Sequence, residues 1–319
     1  MSNELVSYAE ETQLDTRWER VNPHVMASLS ANTRRAYKLW YGRYKEFLAC
    51  SRNGAGNDLS DATLAEYLSH LDEEGMSIST VCIASAGVKW VIRELARAQG
   101  AEISARAFYL AEAVLKRIRR ESLNRGIGQT GAIRHADLVL MCHEARSDAL
   151  TGLRDIAIMR TMRDALLRVS EVVAVNIEDL QEKTLYIPRS KTDQFGEGVH
   201  LYLTNKTRDA IHKWVSKAGL QGEDGALFRT VLKHRLGCRL YEKDIQEIIK
   251  RWAKAAGVEK RVTAHSFRVG AAVDLASKKA SVIEMQRVGR WRSTKMPAHY
   301  ASAILAEDSP IAKYFEGDE

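Results

Sequence analysis

Proline is nearly absent from this chain, and its scarcity limits the possible folds more than any single motif does. Only four prolines stand in 319 residues, so little interrupts a long helix. Apolar residues recur three and four positions apart over most of the length, which is the period of an amphipathic helix. The expectation is a mainly α fold. One segment departs from it: Thr184–Pro188 (TLYIP) alternates as a strand, and Val199–Leu203 (VHLYL) reads as its antiparallel partner across a glycine-containing loop.

The same patterning divides the chain. Residues 1–15 are polar and acidic without periodicity and are expected to be mobile. Residues 16–122 carry five helical patterns: Thr16–Leu29, a second from the cap Ser30-Ala31-Asn32-Thr33 to Ala49, a third from Ser60 to Gly75, a fourth from Ser77–Thr80 to Ala98, and a fifth over Ser104–Leu123. Residues 123–132 lie in the stretch SLNRGIGQTGA, whose three glycines and lack of an apolar period read as a linker. Residues 133–305 form a second domain with further amphipathic helices at Asn205–Ala218 and Tyr241–Ala256, joined by a basic loop containing Lys233, His234 and Arg235. In the tail, residues 306–319, Ile311, Tyr314 and Phe315 share one face of a helix too short to stand alone.

Charge narrows the class of partner. The chain has 48 basic and 41 acidic residues, a net charge of +7. Split at residue 130, the first part holds 17 basic against 16 acidic residues and the second 31 against 25, so the surplus lies in the second domain. That suits a polyanion but is mild enough to serve solubility alone. Cys50, Cys82, Cys142 and Cys238 form no CxxC pair and read as reduced thiols. No secretory pattern opens the chain, and no run approaches the roughly 18 apolar residues of a membrane span, so a cytoplasmic protein without membrane contact is expected. Neither a nucleotide-cradling glycine loop nor a metal-ligand spacing occurs, and no cofactor is expected.

Basic residues group on three of the first-domain helices. On the second, Tyr37, Trp40, Tyr41, Tyr44 and Leu48 make a stripe that reads as a core face, leaving Arg34, Arg35 and Lys38 mostly elsewhere. On the fourth, Lys89, Arg93 and Arg97 recur at intervals of four, either a ridge against a phosphate backbone or a solvated face partnered by Glu94. The fifth ends in Lys116, Arg117, Arg119 and Arg120, a denser cluster that favours phosphate contact.

The chemistry gathers in Thr263–Tyr300. His265 and Arg268 stand three apart, so on a helix an imidazole and a guanidinium would share one face and could hold an anion between them. Val288-Gly289-Arg290-Trp291 reads as a turn presenting an indole N–H, and Tyr300 follows nine residues later. A phenol beside such donors suggests attack on phosphorus, with the phosphate's charge held by fixed donors. Upstream, Arg168 sits among Leu166, Leu167 and Val169, and a guanidinium in apolar surroundings needs an anion, either Glu171 or a phosphate.

The order His-x-x-Arg, Gly-x-Trp, Tyr, together with His265–Ala272 (HSFRVGAA) and Ala165–Val172 (ALLRVSEV), resembles the signature of the tyrosine recombinases. It is closest to the Cre branch, with Trp291 where many relatives carry histidine. The resemblance implies a helical, SAM-like amino-terminal DNA-binding domain that grips one face of a duplex, and an α-rich catalytic domain with a small antiparallel β-hairpin on the other. It implies that Tyr300 attacks DNA to form a 3′-phosphotyrosyl link without metal or ATP, that Arg168 and Arg268 bracket the phosphate, and that His265 takes the phenol proton or donates to a phosphate oxygen. Lys191, in Ser190-Lys191-Thr192, matches the general acid; Trp291 donates or packs, and Glu171 holds the polar residues in place. The partners implied are double-stranded DNA bearing an inverted-repeat site, a dimer per site and a homotetramer on DNA, with the tail docking in trans. A type IB topoisomerase shares this chemistry, and a non-catalytic DNA-binding protein on the same scaffold is the alternative from another class.

Overall fold

The computed structural model describes residues 23–51, 59–101, 103–104, 106–121, 131–146, 149–188, 198–232 and 235–305. Lys191, Lys233, His234, the linker glycines Gly126 and Gly128, and residues 306–319 lie outside them. The chain divides into two compact units, Met1–Gly128 and Gln129–Glu319. The described residues are mainly helical, with two small antiparallel sheets among them.

The first unit contains α1 (Pro23–Ser28), α2 (Ala31–Ser51), α3 (Asp61–Glu73), α4 (Ile78–Ala98) and α5 (Tyr109–Glu121). Of the expected first helix, residues 23–29 are described, and Pro23–Ser28 are helical. Ser60 and Ser77 cap α3 and α4 by accepting the amides of Thr63 and Thr80 at 3.2 Å. The aromatic stripe of α2 turns inward, where Trp40, Tyr44 and Leu48 join Leu64, Tyr67, Val88 and Ile118 in one core. Gly87 lets α4 approach α2 closely: a Cβ there would sit 3.1 Å from the Tyr37 ring. The Asp61 carboxylate accepts from the amides of Leu110 and Ala111, fixing the start of α5 against that of α3.

That packing corrects the expected basic ridge of α4. Lys89 is buried, its ammonium bonded to Glu112 at 2.5 Å and lying 5.6 Å from the centre of the Phe108 ring. A glutamate from a neighbouring helix thus takes a lysine that the spacing alone had placed on the surface. Arg93 stacks on Phe108 and Arg97 pairs with Glu94, both still exposed. Arg34, Arg35, Lys38, Lys116, Arg117, Arg119 and Arg120 are exposed.

The second unit runs α6 (His135–Ala145), α7 (Ala149–Asp164), α8 (Val169–Ala174), β1 (Thr184–Ile187), β2 (Val199–Tyr202), α9 (Asn205–Lys217), β3 (Arg229–Leu232), β4 (Arg235–Arg239), α10 (Glu242–Ala255), α11 (His265–Ser277), α12 (Val282–Gly289) and α13 (Lys295–Leu305). The hairpin β1–β2 pairs Thr184 with Tyr202 and Ile187 with Val199. A second hairpin, β3–β4, stands where the sequence suggested only a basic loop. Its strands lack a clean alternation and carry a register irregularity between Arg229 and Val231, so no period of two announced them.

Helix α7 is the axis of this unit, with Gly152, Asp155, Ala157, Ile158, Met159, Thr161 and Met162 all buried. Its half-buried side carries Leu153, Ile156, Arg160 and Arg163, while Arg154 and Asp155 face the interior. Asp155 is therefore paired inside: its carboxylate accepts from Arg154 Nε at 2.8 Å, Trp252 Nε1 at 2.8 Å, and Arg251. Arg154 also donates to the Arg229 carbonyl, so one buried ion cluster joins α7, α10 and β3. A second carboxylate, Asp274 on α11, accepts from Arg134 Nε, Arg163 Nη2 and the His135 amide at 2.8–2.9 Å. Gly270 completes the seat of α11, since a Cβ there would lie 1.8 Å from the Ile133 carbonyl oxygen. Among the described residues, no helix is long and apolar enough to cross a membrane.

Candidate active site

The second unit draws Arg168, Glu171, His265, Arg268, Trp291 and Tyr300 into one electrostatically coupled group. The arrangement starts at the end of α7. Leu166 takes φ 45°, in the left-handed region that costs a side chain with a Cβ about 1–2 kcal/mol. The turn carries the chain into α8, whose first turn holds Glu171 beside Arg168. Glu171 accepts from the Arg168 amide at 2.9 Å and from Arg168 Nη1 at 2.8 Å. The arginine read from the sequence as needing an anion has one, and its side chain remains 23% exposed.

Arg268 is placed differently. It is 1% exposed, donating through Nη1 to the Leu166 carbonyl at 2.5 Å and through Nη2 to the Gly289 carbonyl. Its guanidinium carbon lies 4.6 Å from the centre of the Trp291 ring. So Arg268 is a buried tie between two chain segments, while His265, three residues earlier, is exposed. Burial, then the charges of Arg168 and Arg290, push the Arg268 pKa down to about 9, with Glu171 and Tyr300 opposing. It therefore stays protonated at neutral pH.

Helix α12 ends on a second left-handed residue, Arg290, at φ 53° and ψ 46°. The Trp291 amide bonds back to the Gln286 carbonyl at 3.1 Å, closing the turn. Gly289 makes room for the indole, because a Cβ there would fall 1.9 Å from the ring. Trp291 then lies between Arg268 and the phenol of Tyr300, whose ring centre is 5.8 Å away. Tyr300, on α13, is 8% exposed and packs in a small apolar cluster with Val269, Ala272, Ala276 and Met285. Burial raises its pKa, against the lowering field of Arg268, so the phenol is neutral at rest.

His265 has its pKa held below the ordinary value of 6.5, first by desolvation and then by the Arg268 and Arg168 charges. Desolvation acts here although much of the residue's area is open. In the folded chain the neutral imidazole is favoured, so its contribution to stability is present above 6.5 and is lost as pH falls through the lower folded-state value. A neutral imidazole is also the form that accepts a proton. If it takes the proton of Tyr300, a reaction carried by that phenol will hold on acidification until below pH 6.5, and His265→Gln will remove that acid limb. A limb at or above 6.5 that persists in the variant would exclude His265 as the base.

Sequence reasoning missed Arg290. Its Nη2 donates to Glu171 Oε2 at 2.9 Å and to the Leu166 carbonyl at 3.1 Å, and its side chain is 8% exposed. In the sequence it stands beside Arg287 and Arg292 as one of several surface-like cations; only the left-handed turn sends it inward. Among the described residues, no three His, Cys, Asp or Glu side chains form a metal-binding group.

Comparison with known proteins places the chain in a family. Residues 132–305 match the model of the phage integrase family. An integrase/recombinase XerD homolog of Selenomonas ruminantium is 28% identical over 206 residues, covering 60% of this chain and 59% of that protein. The recombinase Cre of Escherichia phage P1 is 22% identical over 274 residues, covering 79% and 78%. The chain thus spans about three-fifths of the first relative's length and about four-fifths of the second's. Among solved structures, XerH site-specific recombinase bound to a palindromic difH substrate superposes with a TM-score of 0.68 at 17% identity, covering 98% of this chain and 87% of that one. A lambda integrase dimer on a COC′ core site gives 0.64 at 16%, covering 91% and 94%. At such identities the superpositions speak for the fold. With the family model matching more than half of its length, the chain belongs to the phage integrase family, the tyrosine recombinases.

Proposed function

We propose that this protein is a site-specific DNA recombinase that breaks and rejoins strands through a 3′-phosphotyrosyl bond at Tyr300. The observation that carries the reading is the gathering of a neutral phenol, a proton-accepting imidazole and guanidiniums in one place, on a chain of this family. In this reading Tyr300 attacks the scissile phosphorus as His265 takes its proton. Arg168 and Arg268 stabilise the charge of the five-coordinate transition state. Trp291 donates or packs, and Glu171 holds Arg168 in position. The departing oxygen is the DNA 5′ hydroxyl, and storing the phosphodiester in the protein lets a second strand reseal it without ATP.

Lys191 is assigned as the acid that protonates the 5′ oxygen. A substrate with sulfur at the 5′ bridging position leaves as a thiolate and needs no acid. On such DNA, Lys191→Ala is expected to cleave at the wild-type rate, with protein on the 3′ end, while failing on the oxygen substrate. Equal loss on both would remove Lys191 from that role, and attachment to the 5′ end would overturn the function itself.

The finer points rest on the family. The chain's Cre-like features, HSFRVGAA and Trp291, favour an inverted-repeat site bound by a dimer, and a tetramer for strand exchange. The exposed cations Arg34, Arg35, Lys38, Arg93, Arg97, Lys116, Arg117, Arg119 and Arg120 are assigned to the DNA backbone, and residues 306–319 to docking on a neighbouring subunit. Lys89 is not in that set because it is buried, with its ammonium turned to Glu112.

A further inference from the structure

Glu171 poses an electrostatic problem for a phosphate site. Its carboxylate takes two hydrogen bonds from Arg168 and, standing alone, would neutralise the cation meant for the phosphate. Arg290 also bonds Glu171, at the Oε2 that accepts the Arg168 amide, and its Nη2 reaches the carbonyls of Ala165 and Leu166 as well. Burial and the Arg168 charge lower its pKa, while Glu171 supports its charged form. Arg268 feels Arg168, Arg290 and Glu171 together. Within this described cluster, three guanidiniums face one carboxylate, leaving two positive charges where the family-like pair with Glu171 would leave one.

We infer that Arg290 is a positioning residue that offsets the charge of Glu171 and thereby keeps Arg168 available to a phosphate, a third guanidinium of the site acting through the carboxylate. The inference rests on the reading of this cluster as a phosphate site. It also explains why a side chain with a Cβ occupies the left-handed turn beside Trp291: no glycine there could reach Glu171.

The test is a charge swap in the full chain, read by isothermal titration with inorganic phosphate. Arg290→Gln removes one positive charge and is expected to weaken phosphate about tenfold at low salt. The double variant Glu171→Gln with Arg290→Gln restores the net charge and is expected to recover a measurable part of the lost affinity, but not all of it, because Glu171 also holds Arg168 in position. Arg290→Lys keeps the charge without the planar fork and retains most of the affinity, which serves as the measurement should Arg290→Gln fail to fold. Two results would overturn the inference: unchanged binding in Arg290→Gln, or a double variant no better than the single, which marks a purely structural arginine. A wild-type chain that binds no phosphate would remove the phosphate-site reading along with it, whereas unchanged binding in Arg290→Gln removes the charge-offset role alone.

Discussion

Tyr300→Phe is expected to bind duplex DNA as the wild type does and to form no covalent adduct on a nicked suicide substrate. Phenylalanine preserves the ring that packs against Trp291, Val269 and Met285, so the apolar cluster survives. Only the oxygen goes. Loss of a covalent nucleophile that works as one unit with its base removes essentially all turnover, at least about 10⁴-fold by analogy with other nucleophile deletions. The measurement is a denaturing gel on which labelled DNA migrates with protein. An adduct persisting in the variant would place the nucleophile elsewhere, and Tyr314 in the tail would be the first residue to examine.

Asp155→Ala is expected to cost the largest amount of stability of any single substitution in the second unit. The carboxylate is 0% exposed, and its removal leaves Arg154, itself 5% exposed, and the Trp252 indole N–H without their shared acceptor. Arg251 is 47% exposed and can turn to water, but Arg154 has no such escape. Breaking a buried pair by deleting one partner costs about 3–5 kcal/mol. For a unit of this size that lowers the melting temperature by roughly 10 °C. Asp155→Asn retains one acceptor and should fall between the two. A loss below about 1 kcal/mol would mean that water reaches Arg154 and that the cluster behaves as a surface pair.

The difference between what was legible in the sequence and what was not follows the range of the interactions. His265, Arg268, Trp291 and Tyr300 lie within 36 residues of one another, and local helix and turn geometry brings them together. The α2 stripe and the β1–β2 hairpin were readable for the same reason. Lys89 was not, because its partner Glu112 comes from a helix 23 residues away. Asp155 looks like one charge among many until Arg251 and Trp252 arrive from nearly a hundred residues downstream. Arg290 depends on a backbone conformation that arginine seldom adopts. Arg268 stands out in the sequence by type and spacing, but its burial and its two carbonyl partners come from residues 102 and 21 positions away.

Those two carbonyls carry an evolutionary consequence. Because Arg268 fastens the end of α7 to the end of α12, it is needed before any DNA arrives. A descendant gene that has shed its tyrosine and drifted into silence, yet still makes a folded product, will go on encoding this arginine. Its presence in such a relic testifies to ancestry and architecture and says nothing by itself of enzymatic competence.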